Sequence, residues 1–202
     1  MESTASATAA AVADKALSQQ ELDLAREVLR QAQNEVIGSL KGVSAAQAAF
    51  KPAPETWSIG ENLEHIIMVQ ERVLGVIGER LADAPAAPTD RNNALIDAIV
   101  IHQFPARFNR FSGPDILKPT GGMKIGDGID RVIGNTRRYS ESLDSNPHLR
   151  GRVLDSPPLK AITNGEHTLI DGYQLVLAAA AHTQRHVKQI LEVKANPSYP
   201  ES

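Results

Sequence analysis

Residues 171–193, DGYQLVLAAAAHTQRHVKQILEV, carry an unbroken helical pattern that indicates the fold class of the chain. Asp171 stands where a helix N-cap is expected, and Pro197 follows soon after the last apolar residue. The apolar residues recur at helical spacing, and His182 and His186 are four residues apart on the same stripe. We therefore predict a long packed helix that directs two imidazoles into the protein interior.

Three further long helical patterns accompany this stretch. They cover residues 18–40, residues 58–81 and residues 125–143, and the first two open with Ser-x-x-Glu, the pattern of a capping box. In the third, the residues predicted to face inward are Ile129, Val132, Ile133, Thr136 and Tyr139. A shorter pattern over residues 92–104 predicts an extra helix.

The connections between these helices are predicted to be irregular. They include residues 42–57, expected to form a loop or short turn, residues 108–128, and a crossover over residues 156–170. Four long helices with long crossovers are typical of a four-helix bundle. The sequence thus predicts an all-α protein, a four-helix bundle with long crossover connections and a short extra helix.

The length of 202 residues fits one domain. We place a single bundle domain at residues 18–200, preceded by a flexible leader at residues 1–17 that lacks the basic and leucine-rich regions of a signal peptide. The chain contains no cysteine, which excludes disulfides, thiolate metal ligands and a cysteine nucleophile. A cytoplasmic protein is expected.

The charge pattern argues against nucleic acid and membrane partners. The net charge of −3 comes without a basic patch, which binding to nucleic acid or an anionic membrane would require. No apolar run approaches the roughly 18 residues of a membrane span. We therefore expect neither nucleic acid nor membrane as a partner.

Two interpretations of the histidine pair remain open at this point. His182 and His186 can be core histidines that hydrogen-bond to backbone or side-chain partners, or they can share one metal ion. His65, beside the buried seam of the second long helix, adds a third imidazole. Three nitrogens from two helices can build an open site that suits Zn, Ni or Fe(II).

Two motifs resemble a known family. Trp57 to His65 follows the pattern W-S-I-x-E-x-x-x-H, and His182 to Ile190 follows H-T-x-R-H-x-x-Q-I. Both resemble the DinB-like (YfiT-like) metal-dependent family over about residues 18–200. The resemblance implies a four-helix bundle, homodimers, and a metal site whose three ligands fall on His65, His182 and His186.

The sequence leaves two functions open, a metal-dependent enzyme and a non-catalytic module. Three neutral imidazoles leave a metal its full charge, so a water or thiol in the open position is acidified. Relatives in the broader superfamily include transferases and isomerases that use a low-molecular-weight thiol. The chain is therefore predicted to be a metal-dependent enzyme, a thiol-dependent S-transferase or a hydrolase acting on a small-molecule substrate. The alternative is a non-catalytic metal-binding or stress-related helical-bundle module.

Four residues are weaker candidates for supporting roles. Trp57 can form a wall of the site, and Asn62 can hydrogen-bond a metal-bound water. Arg185 and Gln189 can act on the metal ligands or on an anionic substrate. No residue is assigned as the general base.

Overall fold

The computed structural model describes residues 16–106 and 115–201, and its architecture is a bundle of four long helices. In chain order its helices and strands are α1 (Gln19–Leu40), α2 (Ala45–Ala49), α3 (Ile59–Glu79), α4 (Asn93–Gln103), α5 (Ile125–Ser145), β1 (Val153–Asp155), α6 (Pro157–Ile162), β2 (Leu169–Asp171) and α7 (Gly172–Lys194). Both α7 and α5 pack against α1 and α3, which closes the four long helices into a bundle, and α4 packs on α7. The predicted bundle with a short extra helix is confirmed.

Capping boxes define where three of the four long helices begin. The Ser18 hydroxyl accepts from the Glu21 amide at 3.3 Å, and the Ser58 hydroxyl accepts from the Glu61 amide at 3.1 Å. At α7 the Asp171 carboxylate accepts from the Gln174 amide at 2.7 Å. Each cap satisfies an amide that the helix itself leaves without a partner. The predicted starts of α1, α3 and α7 are therefore correct.

The predicted irregular connections contain regular structure, and in residues 108–128 this is a 3₁₀ helix, Asp115–Leu117, and the first turn of α5. Residues 42–57 include α2, which Ser44 and Gln47 start with another capping box, and which was too short to produce a visible period. Residues 156–170 include α6, and β1 pairs with β2 in antiparallel register, Val153 opposite Asp171. Residues 1–15 of the predicted leader lie outside the described residues. The same holds for residues 108–114 of the connection predicted over residues 108–128.

The inward face of α5 differs from the predicted one at Ile133 and at Asn135. Ile133 is 44 % exposed, whereas Asn135, which was not predicted to be buried, is 4 % exposed. The amide of Asn135 donates to Gln70 Oε1 at 3.2 Å, and Gln70 in turn donates to the Thr183 hydroxyl at 3.1 Å. Because these bonds satisfy the amide, a polar residue occupies the buried face and the neighbouring isoleucine turns outward.

Gly128 allows α5 to lie close to α3. A Cβ atom at this position would stand 2.5 Å from Leu63 Cδ2 and 2.9 Å from Leu63 Cγ, and Leu63 is fully buried. Gly134, on the same helix, has no atom within 4 Å of an added Cβ. The packing of α5 against α3 therefore requires a glycine at position 128, whereas position 134 has space for a larger side chain.

We expect Gly128→Ala to lower the free energy of unfolding by about 1–3 kcal/mol, because overpacking a closed core forces neighbouring side chains to move. The matched variant Gly134→Ala should instead raise it by about 0.5–1 kcal/mol through helix propensity. Urea unfolding of both variants measures the two effects. Equal changes in the two variants would contradict the close α3–α5 contact.

None of the helices in the described part of the chain combines the length and the hydrophobicity that crossing a bilayer requires.

Candidate metal centre

Three histidines from two neighbouring helices meet inside the bundle. His65 lies on α3, and His182 and His186 lie one turn apart on α7. Their ring centroids are 4.4–5.0 Å apart, and one nitrogen from each ring lies within 4.8 Å of the others. Helical spacing puts the α7 pair on one face, and the packing of α3 against α7 brings the third ring to it.

A backbone carbonyl orients the ring of His65. Its Nδ1 lies 2.7 Å from the carbonyl oxygen of Leu117, at the end of a short 3₁₀ helix, Asp115–Leu117. A carbonyl oxygen only accepts, so Nδ1 carries the proton and Nε2 keeps its lone pair. The hydrogen bond therefore determines both the tautomer and the rotation of the ring.

The side chain of Asn62 orients His186 in the same way. Asn62 Nδ2 donates to the carbonyls of Ser58 at 2.9 Å and of Trp57 at 3.4 Å, which identifies it as the amide nitrogen. The other amide atom, Oδ1, lies 3.0 Å from His186 Nδ1. That Nδ1 therefore donates, and Nε2 of His186 is again the nitrogen with a free lone pair.

His182 is held differently from the other two rings. Its Nδ1 is buried, and it has no hydrogen-bond partner among the residues that the structure describes. A buried polar atom without a partner costs about 1–3 kcal/mol. The centre thus combines two imidazoles whose Nδ1 atoms are hydrogen-bonded with one ring whose Nδ1 has no partner among the described residues.

The surroundings keep all three imidazoles neutral. Burial lowers the pKa of His65, although the hydrogen bond to the Leu117 carbonyl opposes this. Burial, reinforced by the repulsion that two protonated rings at His182 and His65 would feel and by the charge of Arg185, lowers the pKa of His182 to about 3. Burial also holds the pKa of His186 well below its usual range. Neutral imidazole is the form that binds metal ions.

The four weaker candidates all lie around the histidines. The Trp57 ring stacks on His186 at 5.8 Å between centroids and lies 4.7 Å from the ring of His65. Gln189 lies three residues after His186 on α7 and partly offsets the lowering of the His186 pKa by burial, and Arg185 donates to the carbonyl of Ala106, in the segment that follows α4.

The chemistry of this donor set fits a divalent transition metal. Three neutral nitrogens with lone pairs suit such an ion, and the described residues provide no hydrogen-bond partner for the buried Nδ1 of His182. In the described part of the chain no carboxylate joins the group. A metal held here would have three protein ligands, the number found in catalytic zinc sites, whereas closed structural sites have four.

Two of the contacts around the histidines were not predicted from the sequence. The orienting group of His65 is a backbone carbonyl, which every residue has, so no residue type could indicate it. Asn62 makes a different contact from the expected one, since its oxygen accepts from His186 directly. Its position three residues before His65, on the helix that faces α7, was the available signal.

Fold and site together define a helical-bundle protein with a three-histidine group that can hold a metal ion. A family model described as the DinB superfamily matches residues 28–190, which is most of the chain. The chain therefore belongs to the DinB superfamily, as its motifs predicted. It is also 24% identical over 169 residues to the uncharacterized protein YuaE of Bacillus subtilis (strain 168), covering 83% of this chain and 95% of that protein. No solved structure matches it significantly.

Proposed function

We propose that the chain binds a divalent transition metal, Zn, Ni or Fe, through His65, His182 and His186, and that it is a metal-dependent enzyme. The observation that carries this proposal is the pair of hydrogen bonds that commit Nδ1 of His65 and Nδ1 of His186 to the protein. Metal-binding histidines nearly always donate their second nitrogen to such a group. Histidines that served only to pack the core would not need the same tautomer twice.

The proposed reaction type is a thiol-dependent S-transfer or a hydrolysis on a small-molecule substrate. A bound metal supplies a Lewis acid that polarises the substrate and acidifies a water or thiol nucleophile. The chain has no cysteine, so the thiol in an S-transfer must come from a small molecule. Trp57 supplies an apolar wall beside two of the histidines, and Arg185 adds positive charge that favours an anionic group on the substrate.

A second candidate function is a non-catalytic metal-binding module. It is favoured by one observation, which is that no carboxylate joins the histidine group within the described residues. Hydrolytic metal sites commonly use a general base beside the metal. In this alternative the metal would stabilise the bundle, as a ligand that binds only the folded state must do.

The two functions are separated by turnover of generic substrates. Protein loaded with Zn, Ni or Fe is assayed with a small thiol plus chlorodinitrobenzene for S-transfer, and with nitrophenyl acetate for hydrolysis. We expect one activity in the loaded wild-type protein, reduced to the buffer rate in His65→Ala. Equal rates in both proteins would contradict the enzyme, and metal that then raises the melting temperature of the wild type alone would favour the non-catalytic module.

A further inference from the structure

Glu64, the residue before His65 on α3, binds the loop that follows the 3₁₀ helix. Its carboxylate accepts three hydrogen bonds, from the Thr120 amide at 2.9 Å, the Thr120 hydroxyl at 2.7 Å and the Gly121 amide at 2.8 Å. Hydrogen bonds to an ionised acceptor are stronger than neutral ones. One side chain of α3 therefore anchors two consecutive residues of this loop.

The same loop begins with the carbonyl that orients His65. Only Lys118 and Pro119 separate Leu117 from Thr120. Proline restricts its own backbone and favours an extended conformation in the residue before it, so this link is short and stiff. Anchoring Thr120 and Gly121 consequently restricts where the carbonyl of Leu117 can lie.

The backbone at Gly121 is adapted to this arrangement. Its φ of +79° lies in the left-handed region, where a residue with a Cβ atom is strained. This conformation accompanies an arrangement in which the amides of Thr120 and Gly121 both donate to one Glu64 oxygen, Oε2. The loop therefore meets α3 at two adjacent residues, with its carbonyl on His65 and its amides on Glu64.

We propose that Glu64 is a positioning residue for the histidine centre, acting through the loop and the Leu117 carbonyl on the ring of His65. This inference rests on the proposed metal binding. Without the carboxylate the loop loses its anchor, and the acceptor that determines the tautomer and rotation of His65 is no longer held. The three imidazoles then have to be ordered when the metal binds, which weakens binding.

The test compares cobalt binding by four forms of the full chain: wild type, Glu64→Ala, Glu64→Gln and Glu71→Ala. Glu71 is the matched control, since it lies two turns further along α3 and pairs with Arg131 at 2.6 Å, away from the loop. Cobalt affinity is measured from quenching of Trp57, the single tryptophan, and the coordination from the visible Co(II) spectrum. The melting temperature of each metal-free form reports on folding.

We expect Glu64→Ala to weaken cobalt binding about tenfold, the lower end of the range for lost outer contacts of a metal ligand, with an altered Co(II) spectrum. Glu64→Gln should be intermediate, because its amide oxygen still accepts from Thr120. Glu71→Ala should bind as the wild type does, although both alanine variants lose a surface interaction of α3.

Three outcomes would overturn the proposal. Equal cobalt affinity and equal spectra for Glu64→Ala and Glu71→Ala would refute the role of Glu64 while leaving the metal centre intact. A wild-type protein that binds neither cobalt nor zinc would refute the proposed function and this role with it. If Glu64→Ala does not fold, Thr120→Val removes one of the three donors instead, and an unchanged affinity in that variant would also refute the role.

Discussion

Replacing His182 with alanine is expected to abolish stoichiometric uptake of a transition metal. The variant loses one of three nitrogen ligands, so the loss of affinity should exceed the roughly 10–100-fold that the removal of an outer contact costs. Metal content after loading and dialysis, measured by elemental analysis, is the direct readout. The matched control is His102→Ala, on the exposed face of α4, which should retain the metal content of the wild type.

Thermal stability separates this result from the alternative in which the histidines only pack the core. At a free metal concentration of about 100 times Kd the wild type should gain about 2.7 kcal/mol. For a domain of this size that raises Tm by about 5–10 °C. His182→Ala should show no metal-dependent shift, and its metal-free stability should change little, since the substitution removes a buried nitrogen for which the described residues provide no hydrogen-bond partner. A destabilised metal-free variant, together with a wild type that metal does not stabilise, would favour core histidines.

Replacing Arg150 with methionine is expected to destabilise the protein by about 3–5 kcal/mol, the cost of removing one partner from a buried ionic group. The Arg150 side chain is 3 % exposed and contacts Glu21 at 2.8 Å, Asp97 at 2.6 Å and Asp171 at 2.9 Å. These three carboxylates belong to α1, α4 and the N-cap of α7. The guanidinium also lies 3.9 Å above the ring of Tyr173. One side chain of the connection between α5 and β1 thus joins three helices.

The comparison that tests this value is Arg131→Met, which breaks a surface pair with Glu71 whose side chains are 45% and 35% exposed. An exposed pair of this kind contributes about 0–1 kcal/mol, so the control should be nearly as stable as the wild type. Denaturant unfolding measures both variants. Similar stabilities for Arg150→Met and Arg131→Met would contradict a structural role of the buried cluster. Arg150 contacts Asp171, the N-cap of α7, and His182 lies about 15 Å further along that helix. Metal uptake by Arg150→Met should therefore be unaffected.

The parts of the fold that the sequence predicted correctly depend on interactions between residues close in the chain. Ser18 and Ser58 marked helix starts because a capping box needs only residues three positions apart. The shared face of His182 and His186 followed from the helical period alone. The same rules were wrong at Ile133, which was predicted to be buried because it is apolar but is exposed. Asn135 is buried instead, because its amide donates a hydrogen bond to Gln70 on α3.

The four long helices, the family and the three histidines could be predicted from the sequence, since helical period, caps and motifs are local properties of the chain. The contacts that hold those histidines in place could not, because they form between distant segments. The carbonyl that orients His65 belongs to Leu117, more than fifty residues later in the chain, and Glu64 hydrogen-bonds the loop that follows Leu117. Arg150 likewise finds its carboxylates on three separate helices. Such contacts depend on how distant segments pack together, and no local pattern encodes that packing.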